Sequence, residues 1–216
     1  MKKYKGFLFL LICFLYAGAA FSKCLNCIWS ADFSPLYNPN QENPPLSITS
    51  PDKKHTVTNQ DNALFFISTG NEETLSTYVS PGLIEMSWAK DSKSFAINYS
   101  DGSYVGSWNV DYYVIKPNNH LKRIDITGKA KTLSKEFAQC DEPEELNFAL
   151  LTWLQPQEAI LVAEVPPHST CKNMGALQGF RMNLSKVEIL EVYDEETLRE
   201  KWNDVLGKRL SVSKVN

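Results

Sequence analysis

The stretch Trp88-Ala89-Lys90-Asp91-Ser92-Lys93-Ser94-Phe95-Ala96-Ile97-Asn98-Tyr99-Ser100 decides the fold. Its polar turn, Lys90-Asp91-Ser92-Lys93, separates two runs that alternate apolar and polar residues. Ile84-Glu85-Met86-Ser87-Trp88 leads in, and on the far side Phe95, Ile97 and Tyr99 share one face while Ala96 and Asn98 share the other. Successive side chains of a strand point to opposite faces, so a period of two marks half-buried strands. Trp108, Val110, Tyr112 and Val114 repeat the pattern, and residues 121–127 supply a fourth strand. Phe180-Arg181-Met182-Asn183-Leu184 alternates as well, whereas Ile160-Leu161-Val162-Ala163 is continuously apolar and predicts a strand buried on both faces.

The same plan occurs three times. Ser50-Pro51-Asp52-Lys53-Lys54 precedes His55-Thr56-Val57, and Trp153-Leu154-Gln155-Pro156-Gln157-Glu158 precedes Ala159 and the apolar run after it. Each copy is an entry strand, a polar turn and an apolar strand. Ser, Pro, Asn, Asp and Gly each favour turns for a backbone reason, and they cluster again at Ser100-Asp101-Gly102-Ser103 and Lys116-Pro117-Asn118-Asn119. The unit resembles a blade of the TolB-like and WD40-like β-propellers, where a W-S-P-D-G-K type turn joins two strands. The resemblance spans roughly residues 46–190. Lys53 and Ser92 stand where that turn has glycine, and the third copy lacks the Asp. Three blades are fewer than the four a closed propeller needs. The resemblance therefore implies an incomplete propeller, a cryptic further blade, or closure by a homodimer; a twisted sandwich is the alternative. The segments around Trp88 to Asn98 and Ala163 to Cys171 also resemble a bacterial exported family of unknown function, which implies no activity.

The fold class expected is mostly β: incomplete propeller-like or sandwich-like antiparallel sheets with one C-terminal α-helix. Asp194 is a good N-cap, and Glu195 and Glu196 suit the positive end of the helix dipole. Leu198, Trp202, Val205 and Leu206 fall on one face, and Gly207 is placed to stop a helix over residues 195–206. A shorter helix is expected around residues 133–137.

The chain opens with Lys2, Lys3 and Lys5, then an apolar run over residues 7–16, then small residues to Ser22. That is the pattern of a secretory signal, with the cut placed after Ser22 or, alternatively, after Ala19. The run is too short to span a bilayer, which takes about 20 residues. Cutting 22 residues from 216 leaves 194, enough for one domain. Residues 23–45 read as an irregular arm, with Trp29 and Phe33 as anchors, and 46–216 as the β domain. Losing three lysines takes the net charge from −3 to −6, and no basic patch stands out. Nucleic acid is thus not an expected partner, and no membrane span is expected after cleavage.

Cys24, Cys27, Cys140 and Cys171 remain, an even number for an oxidising compartment, so disulfides are expected. Three pairings are open, with Cys140–Cys171 and Cys24–Cys27 favoured. The location expected is the bacterial periplasm or outside the cell. Cys24-Leu25-Asn26-Cys27 is also a C-x-x-C, which gives a thiol–disulfide reading.

Two segments are candidate sites. Asp101, Tyr104 and Trp108 frame a glycine-rich segment that reads either as a binding loop with stacking aromatics or as a hairpin with Trp108 in the core. Glu164, His168 and Ser169 follow the apolar strand, and a carboxylate, an imidazole and a hydroxyl there give a small-hydrolase reading. A Pro-Pro loop pinned by Cys171 is the plainer reading. His55, His120 and His168 lack paired metal-ligand spacing, so no metal or other cofactor is expected. The leading expectation is a non-enzymatic module that binds a protein or cell-envelope ligand.

Overall fold

The computed structural model describes residues 23–24, 27–36, 46–60, 63–76, 83–100, 107–142 and 144–211. The signal segment, residues 37–45, Asp101 and Tyr104 lie outside them. The chain is mostly β. A short β1 (Ser34–Pro35) is followed by β2 (Leu46–Thr49), β3 (His55–Gln60), β4 (Ala63–Ser68) and β5 (Asn71–Ser76), which form one antiparallel meander. A second sheet holds β6 (Ile84–Trp88), β7 (Ser94–Ser100), β8 (Trp108–Ile115) and β9 (Leu121–Ile124), with β1 added beside β6. The third is β10 (Asn147–Gln155), β11 (Glu158–Glu164), β12 (Leu177–Asn183) and β13 (Glu188–Tyr193). None of the three is closed.

The sheets stack in chain order. Val57, Leu64 and Phe66 of the first meet Met86, Phe95 and Tyr113 of the second. Ala96, Val110 and Tyr112, on the other face of the second, meet Phe148, Leu161 and Phe180 of the third. The far face of the third, through Leu151, Ile160 and Val162, is covered by Trp29, Leu198, Val205 and Leu210. From Ala159 onward β11 is thereby buried on both sides, as its unbroken apolar run predicts. The half-buried reading of β6 and β7 is corrected: both are covered on two faces. Glu85 is 2% exposed and Asn98 0%. Alternation did not reveal this because the second face carries small and polar residues, whose polar atoms are bonded inside the protein.

The two turns that depart from glycine keep glycine's geometry. Lys53 has φ 63° and Ser92 has φ 60°. The Lys53 amide donates to Ser50 O at 2.9 Å and the Ser92 amide to Ala89 O at 3.0 Å. Ser92 gains a hydroxyl that glycine would lack, and it accepts from the Asp52 amide at 3.0 Å, tying one turn to the other. Val187, between β12 and β13, also has a positive φ, 50°, with no such bond. A β-branched residue is poorly suited to that region. Val187→Gly is therefore expected to raise stability by about 1 kcal/mol, read as a higher urea midpoint at unchanged slope; a lower midpoint contradicts this.

The C-terminal helix is shorter than expected. α2 (Glu195–Trp202) gives way to a 3-10 turn at Asn203–Val205 and a short α3 (Lys208–Ser211). Asp194 caps α2, its Oδ1 accepting from the Thr197 amide at 2.8 Å. Gly207 is not a helix stop. A Cβ there would lie 2.5 Å from the Ile28 carbonyl oxygen, so glycine is needed where the chain crosses the N-terminal arm. The other helix, α1 (Gly128–Ser134), begins five residues before the expected position. Both disulfides, Cys24–Cys27 and Cys140–Cys171, are formed.

Candidate functional site

Three places gather the chemistry of this chain. At the first, β6 brings the Glu85 carboxylate to the N-terminal arm. Its Oε2 accepts from the Ile28 amide at 2.9 Å, and its Oε1 from the Trp29 and Ser30 amides, both at 3.1 Å. Asn98, directly opposite on β7, donates to Oε1 at 3.2 Å. The same Asn98 side chain spans to β10, donating to Leu150 O at 3.0 Å and accepting from Leu150 N at 2.8 Å. Ser30 Oγ donates to Leu151 O. One carboxylate thus joins the arm, the second sheet and the third.

Burial pushes the Glu85 carboxyl up to about 7, against the pull of its four N–H donors. The sign follows from linkage. An acid whose folded pKa lies above its unfolded value holds a proton that the unfolded chain releases. Its contribution is complete below pH 4.5 and is lost as pH rises to 7. Stability is expected to fall across that window by up to about 3 kcal/mol from this group. Urea unfolding of the wild type and of Glu85→Gln at pH 5 and pH 7.5 checks it: equal pH dependence in the two contradicts the assignment.

The second place is the buried pair Glu164 and Arg209, with side chains 6% and 3% exposed. Arg209 Nη2 lies 2.7 Å from Glu164 Oε2, and its Nε donates to the same oxygen at 2.9 Å. Asn147 Nδ2 donates to that oxygen too, at 2.8 Å, while Asn147 Oδ1 accepts from the Trp108 amide. The guanidinium carbon sits 5.3 Å from the Trp29 ring centre and 5.8 Å from that of Trp108. Trp108 itself is fully buried, edge-on to Trp29, in line with the core reading of its segment.

Glu164, His168 and Ser169 are not brought together by hydrogen bonds among the described residues. Glu164 faces inward to Arg209. Ser169 Oγ donates to Pro166 O at 2.7 Å and accepts from Cys171 N, and His168 is exposed in the turn. Cys27 is buried and Cys24 half-buried, both inside the arm. No group of three metal-ligating side chains gathers among the described residues.

The third place is a cleft of about 590 Å³ between α1 and the segment after Cys140. It is lined by Lys131, Ser134 and Lys135 on the α1 side and by Asp141, Glu142, Glu144, Glu145 and Leu146 after Cys140, with the fully buried Phe148 beneath. Lys131 and Lys135 lie one helical turn apart, so both ammonium groups reach the same side. Lys131 Nζ is 5.9 Å from the Phe148 ring centre. Among the described residues Lys131, Lys135, Glu142 and Glu145 are in no ion pair. Glu144 beside them is engaged, accepting from the Thr170 amide and hydroxyl.

No protein-family model and no curated protein matches this chain. Sequence reasoning missed Glu85, Arg209 and the cleft. Only the cleft carried a signal, the run Asp141-Glu142-Pro143-Glu144-Glu145 beside a cysteine.

Proposed function

We propose that this chain is an exported, non-catalytic binding module that holds a protein or cell-envelope ligand in the bacterial periplasm or outside the cell. The observation that carries the reading is the use of its buried charges. Glu85, Glu164 and Arg209 are spent in joining the arm, the sheets and the C-terminal turns. Unpaired charge and apolar surface meet instead in the cleft beside α1. Pockets that hold ligands pair apolar walls with a few convergent polar groups in this way.

Export is supported by the lysine, apolar and small-residue pattern of the first 22 residues and by two disulfides, which persist in oxidising compartments. No helix among the described residues is long and apolar enough to cross a membrane. Three meanders stacked in chain order, with matching turns at Lys53 and Ser92, support a propeller-like arrangement. Such an open arrangement leaves a homodimer as one way of covering the first sheet.

Affinity capture of the exported protein from cross-linked cell envelopes tests the reading. A dominant partner is expected, lost when Lys131 and Lys135 are both replaced by Glu. A catalytic turnover that disappears in His168→Ala would contradict it.

A further inference from the structure

We propose that the outer face of the first sheet docks on the same face of a second copy of this chain, giving a two-fold dimer; this rests on the stacking of the sheets and not on a ligand in the cleft. Among the described residues the other broad sheet faces are covered. The second sheet is packed on both sides, and the third carries the second on one side and Trp29, Leu198, Val205 and Leu210 on the other. The first sheet turns Val57, Leu64 and Phe66 to the second. Strand alternation then points Thr56, Thr58, Phe65 and Ile67 away from it. Pairing aligns Ser47 with Thr58 and Phe65, and Thr49 with Thr56 and Ile67. Neither Phe65 nor Ile67 joins an apolar cluster of the core, and Ile67 is 38% exposed.

The chemistry of this face suits burial. Strands that meet solvent elsewhere carry exposed ions, Lys122 and Arg123 on β9 and Glu188 and Glu191 on β13. Here the register places one charge, Glu72, on the outermost strand opposite Ile67. The hydroxyls are partnered within the sheet. Ser47 Oγ donates to Thr58 Oγ1 at 2.9 Å, and Thr49 Oγ1 lies 3.3 Å from Thr56 Oγ1, so covering them leaves few polar groups unpaired. Two such faces meet with little charge repulsion, and sheets pack face to face at about 10 Å. The stacking also limits which surface can be met. The third sheet's outer face is closed by the arm and the C-terminal helices, so the first sheet of one copy has no open third sheet to stack on in the next. The open face meets its own kind, and a surface that pairs with itself closes at two. Four strands of four to six residues, about 4.8 Å apart, give a flat footprint of about 300 Å² per copy, small for a permanent dimer. The expected Kd is therefore on the order of 10 µM.

Sedimentation velocity of the purified exported protein from about 2 to about 200 µM tests this. The mass is expected to rise from one copy to two across that range and to go no further. Ile67→Glu and Thr49→Lys each put a charge on the face and bring like charges together across the two-fold, which should weaken the dimer by about ten-fold or more. Both positions are exposed, so unfolding midpoints should stay near that of the wild type. Two positions on separate strands keep the test valid if one variant fails to fold. Leu190→Lys, on β13, should leave the dimer unchanged. A monomer at the highest concentration overturns the proposal. So does a dimer that survives both face variants, or one lost equally in Leu190→Lys. Assembly beyond two copies overturns it too, because that needs a second, different surface. Envelope capture that fails while the dimer persists removes the ligand reading alone.

Discussion

Glu85→Ala is expected to lower folding stability by about 4 kcal/mol or more, because it strips four buried donors of their acceptor, each costing about 1–3 kcal/mol when unpaired. The amides of Ile28, Trp29 and Ser30 and the Asn98 side chain all point at this one carboxylate. Ionising the carboxyl in the interior costs energy, and that cost offsets part of the loss. The net effect is still large against a typical total of about 5–15 kcal/mol. For a chain of this size it corresponds to a fall in Tm of about 10 °C. Glu85→Gln keeps one acceptor but turns an NH2 group toward a backbone amide, so it should fall between alanine and the wild type. A thermal melt of Glu85→Ala within 2 °C or so of the wild type would remove the arm's anchor from this account.

Arg209→Ala should cost about 3–5 kcal/mol, the loss seen when one member of a buried pair is removed and the other charge stays behind. Glu164 would be left nearly enclosed with only Asn147 as a donor among its described contacts. The Trp29 and Trp108 rings would also lose the guanidinium stacked against them. The two halves of this loss separate in a double variant. Adding Glu164→Gln to Arg209→Ala removes the stranded charge and should restore part of the stability. A double variant as unstable as the sum of the two single ones would mean that the residues act independently.

Much of the architecture was legible in the sequence. Period-two alternation located β6, β7, β8 and β12, and the apolar run located β11. Lys53 and Ser92 were placed as stand-ins for glycine, and both take its left-handed conformation. Cysteine count called for disulfides and left three pairings open, of which the favoured one forms. What the sequence hid is long-range. Glu85 looks like any solvent-facing residue of an amphipathic strand until a second sheet covers that face. Arg209 lies in a polar tail whose partner, Glu164, is 45 residues away. Gly207 read as a helix stop because close approach of another segment leaves no local trace. The cleft is lined wholly by residues 131–148, but no local pattern shows that the acidic segment folds back beside α1. Asp101 and Tyr104 lie outside the described residues, and the loop reading of that segment stands as an expectation.

The N-terminal arm is part of the domain, locked by Glu85 and crossed by the C-terminal turns, so that these buried charges serve the fold. Native-state hydrogen exchange of the Ile28, Trp29 and Ser30 amides measures this directly. Amides that open only with global unfolding share one free energy. The three arm amides are expected to exchange with the same free energy as those of Leu161 and Val162 in β11, and to exchange sooner in Glu85→Ala. Arm amides that exchange freely in the wild type, while β11 stays protected, would contradict the account.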